Sequence, residues 1–113
     1  LNAESKQLIG AEQFDLMQKH AVFVNIARGS VVDEHALIQA LQNNKIFAAG
    51  LDVYAKEPLQ SSALFELPNI VTTPHIGSAT AQTRKKMAQL AYQNLVDALE
   101  NKTPRYLVNP NFK

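Results

Sequence analysis

The architecture of this protein is most easily read from residues 21–53, which have the sequence AVFVNIARGSVVDEHALIQALQNNKIFAAGLDV. The apolar run Ala21–Ile26 is rich in β-branched and aromatic residues and predicts a strand buried on both faces, as in a parallel sheet. Asp33 is a typical N-cap for a helix that continues to Asn43. A second apolar run, Ile46–Val53, predicts another strand. Strand, helix and strand in this order form a βαβ unit, which requires the two strands to be parallel.

The remaining chain extends this pattern in both directions. Residues 11–17 have the apolar spacing of a short helix. Ile70–Thr73 predicts a third short strand after a loop rich in turn residues. Residues 78–100 carry apolar residues at helical spacing, with Ser78 or Thr80 as the N-cap. The sequence therefore predicts an α/β fold: the later part of a parallel sheet, followed by a long C-terminal helix and an extended tail.

Composition limits the possible functions. A chain of 113 residues has room for one hydrophobic core, and 46% hydrophobic with 19% charged residues is ordinary for a globular protein. The net charge of +1 gives no reason to expect a nucleic-acid or anionic-membrane partner. Every apolar run falls short of the about 20 residues that span a bilayer. The absence of cysteine excludes disulfides and thiol catalysis and agrees with a cytoplasmic location.

Glycine is scarce, and its spacing excludes one class of loop. The closest two of the four glycines, Gly10 and Gly29, are 19 residues apart. A dinucleotide-binding G-x-G-x-x-G loop or a phosphate-binding G-x-x-x-x-G-K loop therefore does not occur in this chain. The chain has no glycine-rich loop of its own for a pyrophosphate.

Four polar side chains follow the predicted strands: Arg28, Asp52, Glu57 and His75. Parallel strands bring their carboxyl ends to one edge of a sheet, where open α/β folds bind ligands, so these side chains are expected to converge. An arginine binds a carboxylate with two parallel hydrogen bonds. A carboxylate beside one imidazole nitrogen favours the charged ring and leaves the other nitrogen to donate a proton. Each of the four also has a purely structural interpretation, as a turn, cap or loop residue.

Two other charged patterns are explained without a binding site. Asp33, Glu34 and His35 are adjacent on a helix and do not face one another, and acids in a first helical turn are favoured by the helix dipole. Arg84–Lys86 is interpreted as a solvated helix face. The sequence therefore predicts no metal site.

Several of these residues stand in recognisable motifs. In chain order they are NIARGSVVDE (residues 25–34), AGLDVY (49–54), KEPL (56–59) and TPHIGSAT (73–80). Together they resemble the D-isomer-specific 2-hydroxyacid dehydrogenases, in the right order over almost the whole chain. LVNP at residues 107–110 resembles the ending of the glyoxylate/hydroxypyruvate and 2-ketogluconate reductase branch of that family.

The resemblance is to the last third of two-domain enzymes. It implies that residues 1–77 are the later half of a Rossmann-like nucleotide-binding domain, that residues 78–100 form a helix leading back to a substrate domain, and that residues 101–113 are the C-terminal tail. The family's glycine-rich loop lies upstream of the matched part. The resemblance thus implies a piece of a longer reductase that is inactive by itself and has no detectable affinity for a dinucleotide.

The resemblance also implies roles for three catalytic residues. Arg28 would bind the substrate carboxylate and help to polarise the neighbouring keto group. His75 would be the general acid in reduction and the base in oxidation. Glu57 would hold the imidazole ring and favour its charged form.

The implied cofactor is NAD or NADP, with Asp52 at the nicotinamide carboxamide and the backbone near Ala27 and Gly77 along the nicotinamide ring. The implied substrate is a small 2-oxo acid such as glyoxylate, hydroxypyruvate or 2-ketogluconate, and the implied parent enzyme is a homodimer without nucleic-acid or membrane partners. Three alternatives stay open: another member of the family such as a phosphoglycerate dehydrogenase, a nucleotide-regulated co-repressor of the same fold, and a structural α/β fragment without a site.

Overall fold

The structure is a computed structural model that describes residues 2–109, and the chain divides into two compact units, residues 1–77 and 78–113. The first unit contains a three-stranded parallel sheet in the order β1-β2-β3. The elements are α1 (Ala11–Asp15), β1 (Val22–Asn25), α2 (Glu34–Gln42), β2 (Ala48–Leu51), β3 (Ile70–Thr72) and α3 (Ala81–Leu99), with 3-10 turns at Gly29–Val31 and Ala63–Glu66. The predicted α/β fold with a parallel sheet and a long C-terminal helix is confirmed.

The register of the sheet aligns the carboxyl ends of its strands. Asn25 of β1 pairs with Leu51 of β2, and Leu51 pairs with Thr72 of β3. All three are the last residues of their strands. The segments that leave the strands therefore start from the same edge, which is the arrangement that places side chains from distant parts of a chain in one site.

Helix α2 begins where its sequence predicts. The Asp33 carboxylate accepts a hydrogen bond of 3.1 Å from the Ala36 N–H, which satisfies one of the free donors at the helix start. The buried face of the helix joins the sheet in one hydrophobic cluster. That cluster contains Phe14, Val32, Ala36, Leu37, Ala40, Leu41, Ile46, Ala49, Leu51, Tyr54 and Leu64.

The prediction that the first strand is buried on both faces is wrong for this chain. Val22, Val24 and Ile26 are 58%, 61% and 73% exposed, and Val71 of β3 is 68% exposed. Strand residues alternate between the two faces of a sheet, and the buried cluster lies on the face that carries Ala49 and Leu51. The continuous apolar run gives the strand apolar side chains on both faces, but among the described residues those on the second face remain exposed.

Some elements are shorter than predicted. Strand β2 runs from Ala48 to Leu51 and not from Ile46 to Val53. Helix α1 ends at Asp15 rather than residue 17.

The predicted loop between β2 and β3 contains a 3-10 turn. The Ser62 hydroxyl caps this turn by accepting a hydrogen bond from the Leu64 N–H, and the Leu64 side chain is fully buried. One buried leucine thus anchors a loop whose composition alone suggests a solvated connection.

The second unit is built on α3. Of the two predicted caps, Thr80 is the one observed: its hydroxyl accepts a hydrogen bond of 3.1 Å from the Thr83 N–H. The tail is not uniformly extended, since a turn occurs at residues 105–106. Residues 110–113, and with them the end of the LVNP motif, lie outside the described residues.

Candidate active site

Three segments that follow the strands form the candidate site. Arg28 follows β1, Asp52 and Glu57 follow β2, and His75 follows β3. The structure brings their segments together: Glu57 contacts His75, Asp52 binds the turn that contains His75, and the Asp52 N–H donates to the carbonyl of Asn25, three residues before Arg28. Among the described residues, no helix is long and apolar enough to cross a membrane.

His75 and Glu57 form a close hydrogen-bonded pair. His75 Nδ1 lies 2.6 Å from Glu57 Oε2, and the two side chains are 47% and 35% exposed. A carboxylate at Nδ1 fixes the direction of the ring and keeps a proton on that nitrogen. The second nitrogen, Nε2, is then available to exchange a proton with a bound molecule.

The surroundings of Glu57 keep it ionised. The hydrogen bond from His75 lowers the pKa of Glu57, and the Tyr54 N–H, which donates to Oε1 at 3.0 Å, lowers this pKa further. Partial burial raises the pKa by a smaller amount, whereas the positive charges of His75 and Arg28 add to the lowering. At neutral pH Glu57 is therefore a carboxylate that accepts the hydrogen bond from His75 Nδ1.

Asp52 holds the turn on which His75 is carried. Its Oδ1 accepts hydrogen bonds from the Thr73 hydroxyl at 2.5 Å and the Ile76 N–H at 2.8 Å, and its Oδ2 accepts one from the Gly77 N–H at 2.7 Å. The Thr73 hydroxyl and then the Ile76 N–H lower the pKa of Asp52, although burial opposes them. His75 has a φ of 55°, a left-handed conformation that a residue with a side chain adopts only when its neighbours hold it there.

We expect the hydrogen bonds accepted by Asp52 to make the free energy of unfolding depend on pH in the acid range. Because the pKa of Asp52 in the folded chain lies below the ordinary value of 3.8, the unfolded chain binds more protons between the two values. The stability from Asp52 is therefore complete above its unfolded pKa and disappears as the pH falls through the lower, folded value. Asp52→Asn should unfold at lower urea at neutral pH and lose less stability on acidification.

Urea unfolding at several pH values between about 5 and about 2 measures this difference. Asp97→Asn, on α3, is the matched control and should retain the acid dependence of the unchanged chain. An Asp52→Asn variant with the same acid dependence as the unchanged chain would contradict the proposed contribution of Asp52.

A buried asparagine shapes the segment that carries Arg28. Asn25 is 6% exposed, its Oδ1 accepts a hydrogen bond of 3.0 Å from the Ala27 N–H, and its Nδ2 donates one of 3.1 Å to the Arg28 carbonyl. The Arg28 side chain is exposed, and Nη1 donates to the Ala27 carbonyl at 2.7 Å. A guanidinium has five N–H donors, so further donors remain for a carboxylate.

The three residues predicted to line a nicotinamide have different environments. Ala27 and Gly77 are exposed, whereas Asp52 is 6% exposed. The two oxygens of a carboxylate offer about four acceptor positions. In Asp52, protein donors occupy three of these positions. The residues present thus fit a carboxamide donor at Asp52 beside exposed backbone, while no glycine-rich loop is present in the sequence for the phosphates.

A groove adjoins the His75–Glu57 pair. Its volume is about 530 Å³. It is lined by Tyr54, Glu57, Pro58, Leu59, Phe65, Thr72, Thr73, Pro74 and His75. Among residues 2–109 there is no group of three or more histidine, aspartate or glutamate side chains that could hold a metal ion.

Sequence reasoning missed three residues that shape the site: Asn25, Tyr54 and Thr73. A polar residue inside an otherwise apolar strand is a signal that could have identified Asn25, because such a residue needs buried partners. Tyr54 and Thr73 carry no comparable signal, since each acts through a partner about 20 residues away.

The family comparison matches this geometry. The model for the NAD binding domain of the D-isomer specific 2-hydroxyacid dehydrogenases matches residues 1–77. Glyoxylate/hydroxypyruvate reductase B from Salmonella newport is 53% identical over 111 residues, which are 97% of this chain and 34% of the relative. The chain therefore spans about a third of the length of the curated relatives it matches.

Solved structures give the same relationship. The NADPH-dependent glyoxylate/hydroxypyruvate reductase from Sinorhizobium meliloti, in complex with citrate, is similar with a TM-score of 0.91 and 34% identity, over 100% of this chain and 36% of that one. A glyoxylate reductase from Paecilomyes thermophila is similar with a TM-score of 0.90 and 38% identity, over 99% of this chain and 34% of that one. With its motifs, its sheet and these matches in agreement, the chain belongs to the family of D-isomer specific 2-hydroxyacid dehydrogenases.

Proposed function

We propose that this chain provides the proton-transfer and carboxylate-binding part of an NAD(P)-dependent reductase for small 2-oxo acids. Glyoxylate, hydroxypyruvate and 2-ketogluconate are the substrates to test. The observation that carries the proposal is the 2.6 Å contact between His75 Nδ1 and Glu57 Oε2 at the carboxyl edge of a parallel sheet. The family membership and the names of the relatives support the same reaction class.

His75 is the proton donor in this proposal. Reduction of a 2-oxo acid leaves a negative charge on the former keto oxygen, and a charged imidazole within hydrogen-bond reach can supply the proton that neutralises it. Glu57 holds Nδ1, so Nε2 is the nitrogen that faces the substrate. In the oxidative direction the same nitrogen takes the proton from the 2-hydroxyl group.

Arg28 is the proposed binding group for the substrate carboxylate. Its guanidinium is exposed at the end of the turn that Asn25 holds, and its planar donors match the two oxygens of a carboxylate. An arginine beside the keto group also stabilises negative charge that develops on its oxygen. Arg28 and His75 would then bind the two polar groups of a 2-oxo acid.

For the cofactor we propose that Ala27, Asp52 and Gly77 hold the nicotinamide end of NAD or NADP. When bound, the reduced nicotinamide supplies the hydride. The chain's own contribution is to orient: one acceptor position on Asp52 remains for an amide donor. Because it has no phosphate-binding loop, we expect the 113-residue chain alone to be inactive.

A chimeric reductase tests the proposal. In the chimera, the matched 111 residues of Salmonella glyoxylate/hydroxypyruvate reductase B are replaced by the corresponding residues of the present chain. Consumption of NADH and NADPH is followed with each of the three 2-oxo acids. Turnover of at least one of them supports the proposal. A folded chimera that binds the dinucleotide but turns over none of them would refute it and favour a nucleotide-regulated binding protein.

We expect Arg28→Lys to impair the chimeric reductase strongly. Lysine keeps the charge but loses the planar pair of donors, so substrate binding and turnover should both suffer. A loss of about 3 kcal/mol or more in transition-state stabilisation corresponds to at least about a hundredfold lower kcat/KM. Steady-state kinetics measure this effect. Lys85→Arg, on α3, serves as the control for an exchange of the same two residue types. Activity of Arg28→Lys within threefold of the parent chimera would rule out bidentate carboxylate binding.

A further inference from the structure

Tyr54 contacts all three segments of the candidate site. It is 9% exposed, and its N–H donates to Glu57 Oε1 at 3.0 Å. Its hydroxyl donates to the Thr73 carbonyl at 2.7 Å, across 19 positions of sequence. A Cβ added to Gly29 would lie 1.8 Å from the Tyr54 carbonyl carbon, so the segment after β1 packs directly on the Tyr54 backbone.

The hydroxyl of Tyr54 donates its hydrogen bond to the segment that follows β3. It has one proton, and of its two possible acceptors the Thr73 carbonyl at 2.7 Å is closer than the Leu51 carbonyl at 3.2 Å. Burial raises the pKa of the Tyr54 phenol, so the hydroxyl remains a donor. The Thr73 carbonyl also accepts the His75 N–H at 3.1 Å. The Tyr54 hydroxyl therefore binds the same carbonyl oxygen, that of Thr73, that accepts the His75 N–H.

We propose that Tyr54 is a positioning residue that holds His75 and Glu57 at hydrogen-bonding distance. Its backbone N–H orients the carboxylate of Glu57. Its side-chain hydroxyl binds the Thr73 carbonyl, which also accepts a hydrogen bond from the His75 N–H. In its link to catalysis this inference rests on the proposed function, because the pair it positions is the proposed proton-transfer pair.

The conformation of His75 explains why such an anchor is needed. Its left-handed backbone, with φ of 55°, is unfavourable for a residue with a side chain and persists only when surrounding bonds hold it. Asp52 holds the residues after His75 through the N–H groups of Ile76 and Gly77. Tyr54 holds the residue before Pro74 through the Thr73 carbonyl. Loss of the Tyr54 hydroxyl removes the donor to the Thr73 carbonyl and leaves Thr73 held through its own hydroxyl, which donates to Asp52.

Tyr54→Phe is the direct test, because it keeps the ring and the N–H and removes only the hydroxyl. In the 113-residue chain, amide hydrogen exchange at His75 should become about fivefold faster, the effect of one lost hydrogen bond of average strength. The pKa of the Glu57 carboxyl, followed by carbon NMR, should move upward as its contact with His75 loosens. Tyr92→Phe removes an equivalent hydroxyl from an exposed tyrosine of α3 and should change neither value.

Kinetics of the chimeric reductase supply the second readout. Tyr54→Phe should lower kcat about fivefold and leave the KM for the 2-oxo acid within twofold, since the variant disturbs the proton donor and not Arg28. Unchanged exchange at His75 and an unchanged pKa of Glu57 would overturn the positioning role. Glu57→Gln separates the two proposals. If it leaves kcat unchanged while Tyr54→Phe still accelerates exchange at His75, the proposed function fails and the positioning role stands.

Discussion

His75→Gln should lower the kcat of the chimeric reductase by about a hundredfold to ten-thousandfold, the usual contribution of a general acid. Glutamine can still accept or donate a hydrogen bond in the place of the imidazole, but it cannot deliver a proton near neutral pH. The KM for the 2-oxo acid should change much less, because Arg28 is the proposed carboxylate-binding group.

Glu57→Gln should have a smaller effect in the same direction. It keeps a hydrogen-bond acceptor near His75 Nδ1 but replaces the charged carboxylate with a neutral amide, so the ring is held less firmly. The loss should be smaller than that of His75→Gln, because the imidazole itself remains. The kcat values of both variants and of the parent chimera measure this.

His35→Gln is the matched control for the histidine. His35 lies on α2 and is exposed, and among the described residues no hydrogen bond or ion pair joins it to the site. Its replacement should leave kcat within about twofold of the parent value. If His75→Gln behaved like this control, the proton-transfer role of His75 would have to be abandoned.

The second large effect is on folding, and we expect it from Gly29→Ala. The added Cβ would lie 1.8 Å from the carbonyl carbon and 2.0 Å from the carbonyl oxygen of Tyr54, and 2.4 Å from the Ala55 nitrogen. All three atoms belong to backbone, so the contact cannot be relieved by rotating a side chain. Overpacking in a core typically costs about 1–3 kcal/mol, and a clash with backbone should reach about 3 kcal/mol or more.

Gly50→Ala is the control for this substitution. The nearest atom to its added Cβ is a Val24 methyl carbon at 3.8 Å, which is ordinary van der Waals distance. Urea unfolding of the 113-residue chain should show a much lower midpoint for Gly29→Ala and a midpoint close to the parent for Gly50→Ala. Equal midpoints for the two variants would show that the segment after β1 does not pack on Tyr54.

The order of the elements could be predicted because the signals for it are local. The apolar runs of β1 and β2, the Asp33 cap and the Thr80 cap all act within a few residues of one another. Placing Arg28, Asp52, Glu57 and His75 at one edge needed only the further rule that parallel strands share a carboxyl edge. The ends of the strands were less predictable, because a continuous apolar run does not indicate where pairing with the neighbouring strand stops.

The partners of the buried polar groups could not be predicted from the same signals. Asp52 is recognisable as a polar residue at a strand end, but its three donors lie 21 to 25 positions further along the chain. Nothing in the spacing of residues indicates that the carboxylate is enclosed by the His75 turn. The contact of Gly29 with Tyr54 is of the same kind, since it depends on how two connections cross.

The sequence by itself determined the fold class, the Asp33 cap of α2 and the family, because periodicity, capping and motif order are properties of short stretches read along the chain. Only the tertiary structure decided that the β1 side chains Val22 and Val24 are uncovered, that Asp52 supports the turn of His75, and that Tyr54 joins the three segments of the site. These features depend on distances between segments that are far apart in sequence. Such distances are set by the packing of the whole sheet and not by any one stretch.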